Sequence, residues 1–273
     1  MQVIVVDNAS SDGSADAVAV EFPQVELIRS LENLGFAKGN NRGLEAAEGR
    51  YILYLNPDTI ILDGAVDKML RFLDAHPGIG VLGPHTFNAD GITTQDTVIF
   101  KPTLRRMFHT HVPLWRMIPG WRPELAGQAS WHRTGPVEVV KGCCMLMPAT
   151  LVRDLGGMSE KHFMYSEEED LCSRAAGRGF ATWYYHEASI IHLGGEATKQ
   201  NSEAMVRAQV AAWTDVFSQG NPGSSVTMFR LLLGFGSVWR LLAWAPLALL
   251  PSKRELALQR MREHVATLMA LIA

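Results

Sequence analysis

The apolar run Tyr51-Ile52-Leu53-Tyr54 leads directly into Leu55-Asn56-Pro57-Asp58-Thr59. A strand that ends in a proline-stiffened turn bearing one carboxylate presents that group at a sheet edge. There it can hold a divalent cation, with a diphosphate completing the coordination. Asp7 stands in a comparable place, after Val3-Ile4-Val5-Val6 and before the turn-formers Asn8, Ser10, Ser11 and Asp12. Open α/β sheets bind ligands beyond the carboxyl ends of their strands, and a carboxylate there can accept hydrogen bonds from a base or ribose. Capping of the next helix falls to Asp12 or Ser14.

A third candidate group is the acidic run Glu167-Glu168-Glu169-Asp170. Ser166 and Glu169 have the spacing of a capping box, and Asp170 with Arg174 forms an i,i+4 pair on the same helix. Glu167 and Glu168 are left at the positive end of that helix, where the dipole favours the ionised form that a general base requires. The competing reading is a solvated acidic first turn. His192, after Ser189-Ile190-Ile191, is a candidate metal ligand, although a solitary histidine at a strand end also serves packing. His109 and His111 lie in an irregular stretch without a nearby cysteine or carboxylate, and no metal is assigned to them. Gly35, Gly39 and Gly43 suggest a phosphate loop, but neither GxGxxG nor GxxxxGK[ST] occurs, which argues against dinucleotide oxidoreductases and P-loop enzymes.

These groups need elements to hold them. Residues 2–6 and 50–55 are short aliphatic runs. Helical spacing follows over 39–48 and 63–75, and further strands are expected at 79–82, 137–147, 181–185 and 189–192. The alternation predicts an α/β fold with a mostly parallel sheet flanked by helices. Residues 84–136, with six prolines and Trp115, Trp121 and Trp131, read as an irregular excursion from that sheet. Residues 1–200 are therefore expected to form one domain, and 201–273 a helical tail.

In the tail, Met228–Leu250 is strongly apolar but carries Arg230, Arg240 and Pro246, which count against a membrane span. The next segment is an amphipathic helix with Lys253, Arg254, Arg260 and Arg262, so the pair fits a membrane surface with arginines reaching toward headgroups. The other readings are a span and a helical hairpin packed on protein. The chain has 273 residues with 47% apolar content, enough for a sizeable core, and a net charge of −3 that offers no general attraction to nucleic acid. Three cysteines, two of them adjacent, make neither a disulfide framework nor a CxxC spacing, and they point to a reducing compartment. Asp7 interrupts the first apolar run, so no export signal is expected.

Three stretches in this order, Val5 to Ser14, Leu55 to Thr59 and Phe163 to Cys172, resemble the family-2 glycosyltransferases of the GT-A fold, especially the bacterial rhamnosyltransferase-like branch. Asn33 to Gly43, Lys141 to Leu146 and His192 to Gly195 agree, and the likeness runs from residue 2 to about residue 200. The resemblance implies Asp7, Asn33, Gly35, Asn40, Asn56 and Asp58 as nucleotide-sugar contacts. It also implies Mg²⁺ or Mn²⁺ at Asp58 with His192 close by, and Glu168 as the base with Glu167 as its acidic neighbour. Asn56 stands where many relatives carry the first aspartate of a DxD motif. Relatives also begin with a further strand and helix, whereas this chain opens inside the second strand.

The expected activity is inverting transfer from dTDP-rhamnose or a UDP-hexose to a glycan or lipid-linked acceptor in cell-surface polysaccharide synthesis. The expected location is cytoplasmic, peripheral at the inner face of the cell membrane. A catalytically inactive nucleotide-sugar-binding or scaffold protein is the alternative. A nucleotidyltransferase is disfavoured because no amino-terminal glycine-rich loop with Arg and Lys is present.

Overall fold

The chain order is β1 (Ile4–Asp7), α1 (Ser14–Glu21), β2 (Glu26–Arg29), α2 (Phe36–Ala46), β3 (Tyr51–Leu55), β4 (Thr59–Ile61), α3 (Ala65–Ala75) and β5 (Ile79–Phe87). Then come β6 (Val98–Ile99), α4 (Leu104–His111), β7 (Gly135–Pro136), β8 (Val139–Val140), β9 (Cys144–Pro148), α5 (Ala149–Asp154), α6 (Glu167–Gly177) and β10 (Ala181–His192). The last helices are α7 (Ser202–Ser218), α8 (Gly223–Trp244), continued by a 3₁₀ turn over Ala245–Leu249, and α9 (Arg254–Ile272). This computed structural model describes all residues except 96, 113–132, 162–165, 195–201, 220 and 273. The tryptophans of the irregular stretch and the Phe163 to Tyr165 part of the acidic motif lie outside the described residues.

Among the described residues the chain divides into two compact units, one from Met1–Phe100 and Ala126–Gly194, the other from Lys101–Leu125 and Gly195–Ala273. Helix α4, inside the stretch expected to be irregular, belongs with the tail helices. In the first unit, six strands form a sheet along the path β3-β9-β5-β10-β4 with β7 on β10, while β1 and β2 pair in parallel as a separate ribbon. The fold is α/β with a central sheet flanked by helices, as expected, but the sheet is mixed rather than mostly parallel. β5 and β10 are parallel, β9 is antiparallel to both β3 and β5, and β4 and β7 oppose β10. Hydrophobic pattern marks a strand but not its direction, and β9 and β4 enter the sheet beside strands distant in the chain, β3 and β5 for β9 and β10 for β4.

Period-two alternation divides the apolar side chains between two cores. Ile52 and Tyr54 of β3 and Met145 and Met147 of β9 face α2, α5 and α6, with Leu44, Leu151 and Leu171 packed against them. Their neighbours Leu53, Cys144 and Leu146 face the other way, onto Met69 and Leu73 of α3. β10 is continuous through the two segments expected as separate strands, with a register shift between Tyr185 and Ser189. Central β5 is buried nearly throughout, and its glycines admit close neighbours. A Cβ on Gly83 would lie 2.7 Å from Cβ and 2.8 Å from Cγ1 of Val140, a side chain with little rotamer freedom.

Gly83→Ala is therefore expected to overpack β5 against β8 and lower the unfolding free energy by about 1–3 kcal/mol. Equilibrium urea unfolding measures this, and an unchanged midpoint would contradict the close approach.

Candidate active site

β3 ends at Leu55, and the Asn56 N–H then donates to the Cys143 carbonyl at 2.9 Å, tying the Asn56-Pro57-Asp58 turn to the turn that precedes β9. β4 pairs with the end of β10 so that Thr59 faces His192, and the Leu193 N–H donates to the Asp58 carbonyl at 2.9 Å. Backbone register thus brings His192 Nε2 to 3.2 Å from Asp58 Oδ1 and 3.5 Å from Asn56 Nδ2. His192 Nδ1 lies 2.8 Å from the Gln95 amide oxygen. With that oxygen accepting, Nδ1 carries the hydrogen and the Nε2 lone pair is left facing Asp58 and the Asn56 amide.

The spacing of Asp58 and His192 suits adjacent ligands about 2.1–2.3 Å from one cation. Among the described residues no group of three or more His, Cys, Asp or Glu gathers around a point. Asp58 and His192 could therefore hold a divalent ion only with further ligands, such as phosphate oxygens and water. Gln95 escaped sequence reasoning because it lies in the irregular stretch, where no periodicity marks it.

The acidic run opens α6, and it is not solvated: Glu167 and Glu169 are 7% and 3% exposed, and Glu168 is half-buried. Asp170 and Arg174 pair as expected at 2.6 Å, and Arg174 also donates to the Leu155 and Gly157 carbonyls. The expected capping box does not form. Ser166 adopts a left-handed conformation, φ 67°, and its side chain makes no hydrogen bond to the helix N–H groups. Glu167 Oε2 is buried without a hydrogen-bond partner among the described residues.

Burial, then the charge of Glu168, pushes Glu167 up to about 8 and Glu169 to about 7. Glu168 is also raised by burial, but the Gly142 backbone and the Lys141 ammonium favour its ionised form. A Cβ on Gly142 would lie 3.9 Å from Glu168 Cδ and 3.4 Å from the Phe36 ring, so the Lys141-Gly142-Cys143 turn meets both α6 and the start of α2. Burial raises the Cys143 thiol to about 11, and both Glu168 and Asp58 add to that rise. One turn therefore stands within electrostatic reach of both carboxylates.

At the β1 ribbon, Asp7 Oδ1 accepts from the Ser10 N–H at 3.1 Å, a turn-forming bond. The organising residue is its neighbour Asn8, which the sequence did not single out. Its amide donates to Asn33 Oδ1 and the Gly35 carbonyl and accepts from the Leu34 N–H, while Asn33 Oδ1 also accepts from Gly35 N–H. Gly35, φ 82°, makes the left-handed entry to α2. Asn40 bonds the Phe36 carbonyl within α2, whereas Asn41 reaches Met158 and Glu160. Asn56, Asp58 and His192 thus come together. Glu168 meets the adjoining turn, and Asn33 and Gly35 join Asp7's loop through Asn8.

Residues 1–133 match the family model described as glycosyl transferase family 2. Among curated proteins, the chain is 26% identical over 220 residues to an N-acetylglucosaminyl-diphospho-decaprenol L-rhamnosyltransferase of Mycobacterium tuberculosis, covering 76% of this chain and 71% of that one. It is 28% identical over 250 residues to a low-salt glycan biosynthesis hexosyltransferase of Haloferax volcanii, covering 88% and 76%. Among solved structures, it superposes on a mannosyltransferase of Pyrobaculum calidifontis in complex with GDP-Man and Mn²⁺, with TM-score 0.54 and 16% identity, covering 99% and 77%. That likeness is one of fold.

Glu167 and Glu169 are held above their unfolded value of 4.5, so folding takes up protons between 4.5 and about 8. Their contribution to stability is complete below 4.5 and is lost as pH rises through about 7 and 8. Glu167→Gln, neutral throughout, is expected to gain stability relative to wild type as pH is raised from about 6 to about 9. Urea unfolding of both proteins across that range gives the difference, and parallel curves would contradict the buried, protonated state.

Proposed function

From the premise that this chain belongs to glycosyltransferase family 2 through residues 1–133, we propose that it transfers a sugar, with inversion, from a nucleotide-diphosphate donor. The donor is dTDP-rhamnose or a UDP-hexose, and the acceptor is a lipid-linked or growing glycan of the cell envelope. The observation that carries this reading is the junction at Cys143, where the Asp58–His192 pair and the half-buried Glu168 meet one turn. The names of the mycobacterial and haloarchaeal relatives support the sugar and acceptor classes.

In the proposed step, Glu168 takes the proton of an acceptor hydroxyl, whose oxygen forms the new bond to the anomeric carbon. The bond to the diphosphate oxygen breaks on the opposite face, and the diphosphate leaves with the electron pair. Mg²⁺ or Mn²⁺ held by Asp58 and His192 would supply positive charge for that leaving group. Gln95, accepting from Nδ1, would leave His192 Nε2 free to hold that ion. With Asn56 in place of a second carboxylate, phosphate oxygens would carry more of the binding. Glu167, protonated at neutral pH, adds no second charge beside Glu168. Asp7, with Asn33, Gly35 and Asn40 on the adjoining loop and helix, is proposed to hold the nucleoside. Residues 1–200 are proposed as the catalytic domain and 201–273 as a tail that keeps the protein at the cytoplasmic face of the membrane.

Calorimetric titration with UDP and dTDP is expected to show binding that requires Mn²⁺ in wild type and is lost in Asp58→Ala. Gln95→Leu should weaken Mn²⁺ binding by about 10–100-fold. Glu168→Gln should slow transfer by a factor of about 10² to 10⁴ with nucleotide binding intact. Metal-independent binding would overturn the cation site, and full turnover in Glu168→Gln would overturn the base. A donor-binding wild type without turnover on any acceptor would favour the inactive scaffold.

A further inference from the structure

Among the described residues, the one helix long and apolar enough to cross a bilayer is Gly223–Leu249. Both of its arginines have protein partners. Arg240 donates to the Thr110 carbonyl at 2.7 Å and pairs with His111 Nδ1 at 2.8 Å, and Arg230 donates to the Leu271 carbonyl. Each thus binds a carbonyl in the last turn of another helix, where a cation is favoured. Arg240 is half-buried and held by these contacts rather than reaching toward headgroups, whereas Arg230 stays exposed. On the same side, Phe229, Leu233, Gly236 and Ser237 are buried, and Gly236 admits the His111 ring so closely that a Cβ would lie 2.5 Å from Nδ1.

The opposite side is apolar and open. Met228, Leu231, Phe235, Val238, Trp239 and Leu242 are between 47% and 65% exposed, and their spacing confines them to a stripe about 100° wide along α8. No carboxylate occurs from Gly223 to Arg254. From residue 223 to 262 the chain carries five arginines and one lysine against a single glutamate, and Lys253, Arg254, Arg260 and Arg262 are exposed. Two copies meeting stripe to stripe would bring like charges together, whereas anionic headgroups complement them. A span would carry into lipid the partners of α8's packed face, including charged α9.

We propose that the outward face of α8 is a lipid-binding surface that seats this helical unit in the plane of an anionic bilayer, with Lys253 and Arg254 at the headgroups. The inference rests on the peripheral location proposed above and needs nothing from the transfer chemistry. It accounts for a helix whose two arginines bind carbonyls of neighbouring helices while six bulky apolar side chains on its opposite side stay exposed.

Flotation of the full chain tests it, using vesicles of phosphatidylcholine alone or mixed with phosphatidylglycerol. Wild type should float with the anionic vesicles, and less so at high salt. The triple variant Leu231→Glu, Trp239→Glu, Leu242→Glu should float about tenfold less or worse, with unchanged circular dichroism because these positions are exposed. Lys253→Glu with Arg254→Glu should lose the preference for phosphatidylglycerol. Wild type left at the bottom of both gradients would overturn the membrane location, and equal flotation of the triple variant would overturn this surface. Resistance to alkaline extraction would replace it with a span, and a solution dimer dissolved by the triple variant would replace it with a protein interface. Mn²⁺-dependent nucleotide binding, measured on the same samples, tests the transferase reading separately.

Discussion

The hydrogen bond from the Asn56 N–H to the Cys143 carbonyl joins the two halves of the candidate site. On one side of it lies the turn that carries Asp58, and β4 holds that turn to β10 so that His192 arrives beside the carboxylate. On the other side lies Gly142, which stands between the Phe36 ring and the Glu168 carboxyl. β9 continues from this turn into the buried middle of the sheet, so the turn is anchored by Cys144, Met145 and Leu146, all almost fully buried. A movement of β9 would displace the Asp58–His192 pair, Glu168 and the entry of α2 together.

Burial also divides labour among three consecutive glutamates. A helix start favours negative charge, but a few ångströms cannot hold three ionised carboxylates away from water. Burial raises all three, and at Glu168 the Gly142 backbone and the Lys141 ammonium oppose that rise. The left-handed Ser166 and a buried Glu167 oxygen without a partner among the described residues are costly features. Their concentration at the start of α6 fits a site shaped for binding rather than for stability.

Much of this was legible in the sequence where local pattern governs structure. β3, the turn at Asn56 to Asp58, the helix at Glu167 and the Asp170–Arg174 pair follow from periodicity, proline and spacing. Strand direction did not, because an apolar run such as Cys144 to Met147 reads the same in either direction. The capping box at Ser166 failed because tertiary packing set a backbone conformation that local spacing cannot reveal. Gln95 and Asn8 act through contacts with residues distant in sequence, and a single chain carries no mark of such partners. Arg240 read as a lipid-facing charge because a helical wheel gives the side of a helix but not what covers it.

The central claim is that the Asn56–Cys143 junction places a cation site and a base on one cleft. It is tested most directly by a crystal structure of the full chain grown with Mn²⁺ and a nucleoside diphosphate, with anomalous scattering recorded at the manganese edge. The account predicts one manganese peak within bonding distance of Asp58 Oδ1 and His192 Nε2, its remaining ligands supplied by the diphosphate and water, and the Glu168 carboxyl open to the same cleft. A peak away from Asp58, or a diphosphate bound where Glu168 cannot face it, would contradict the account.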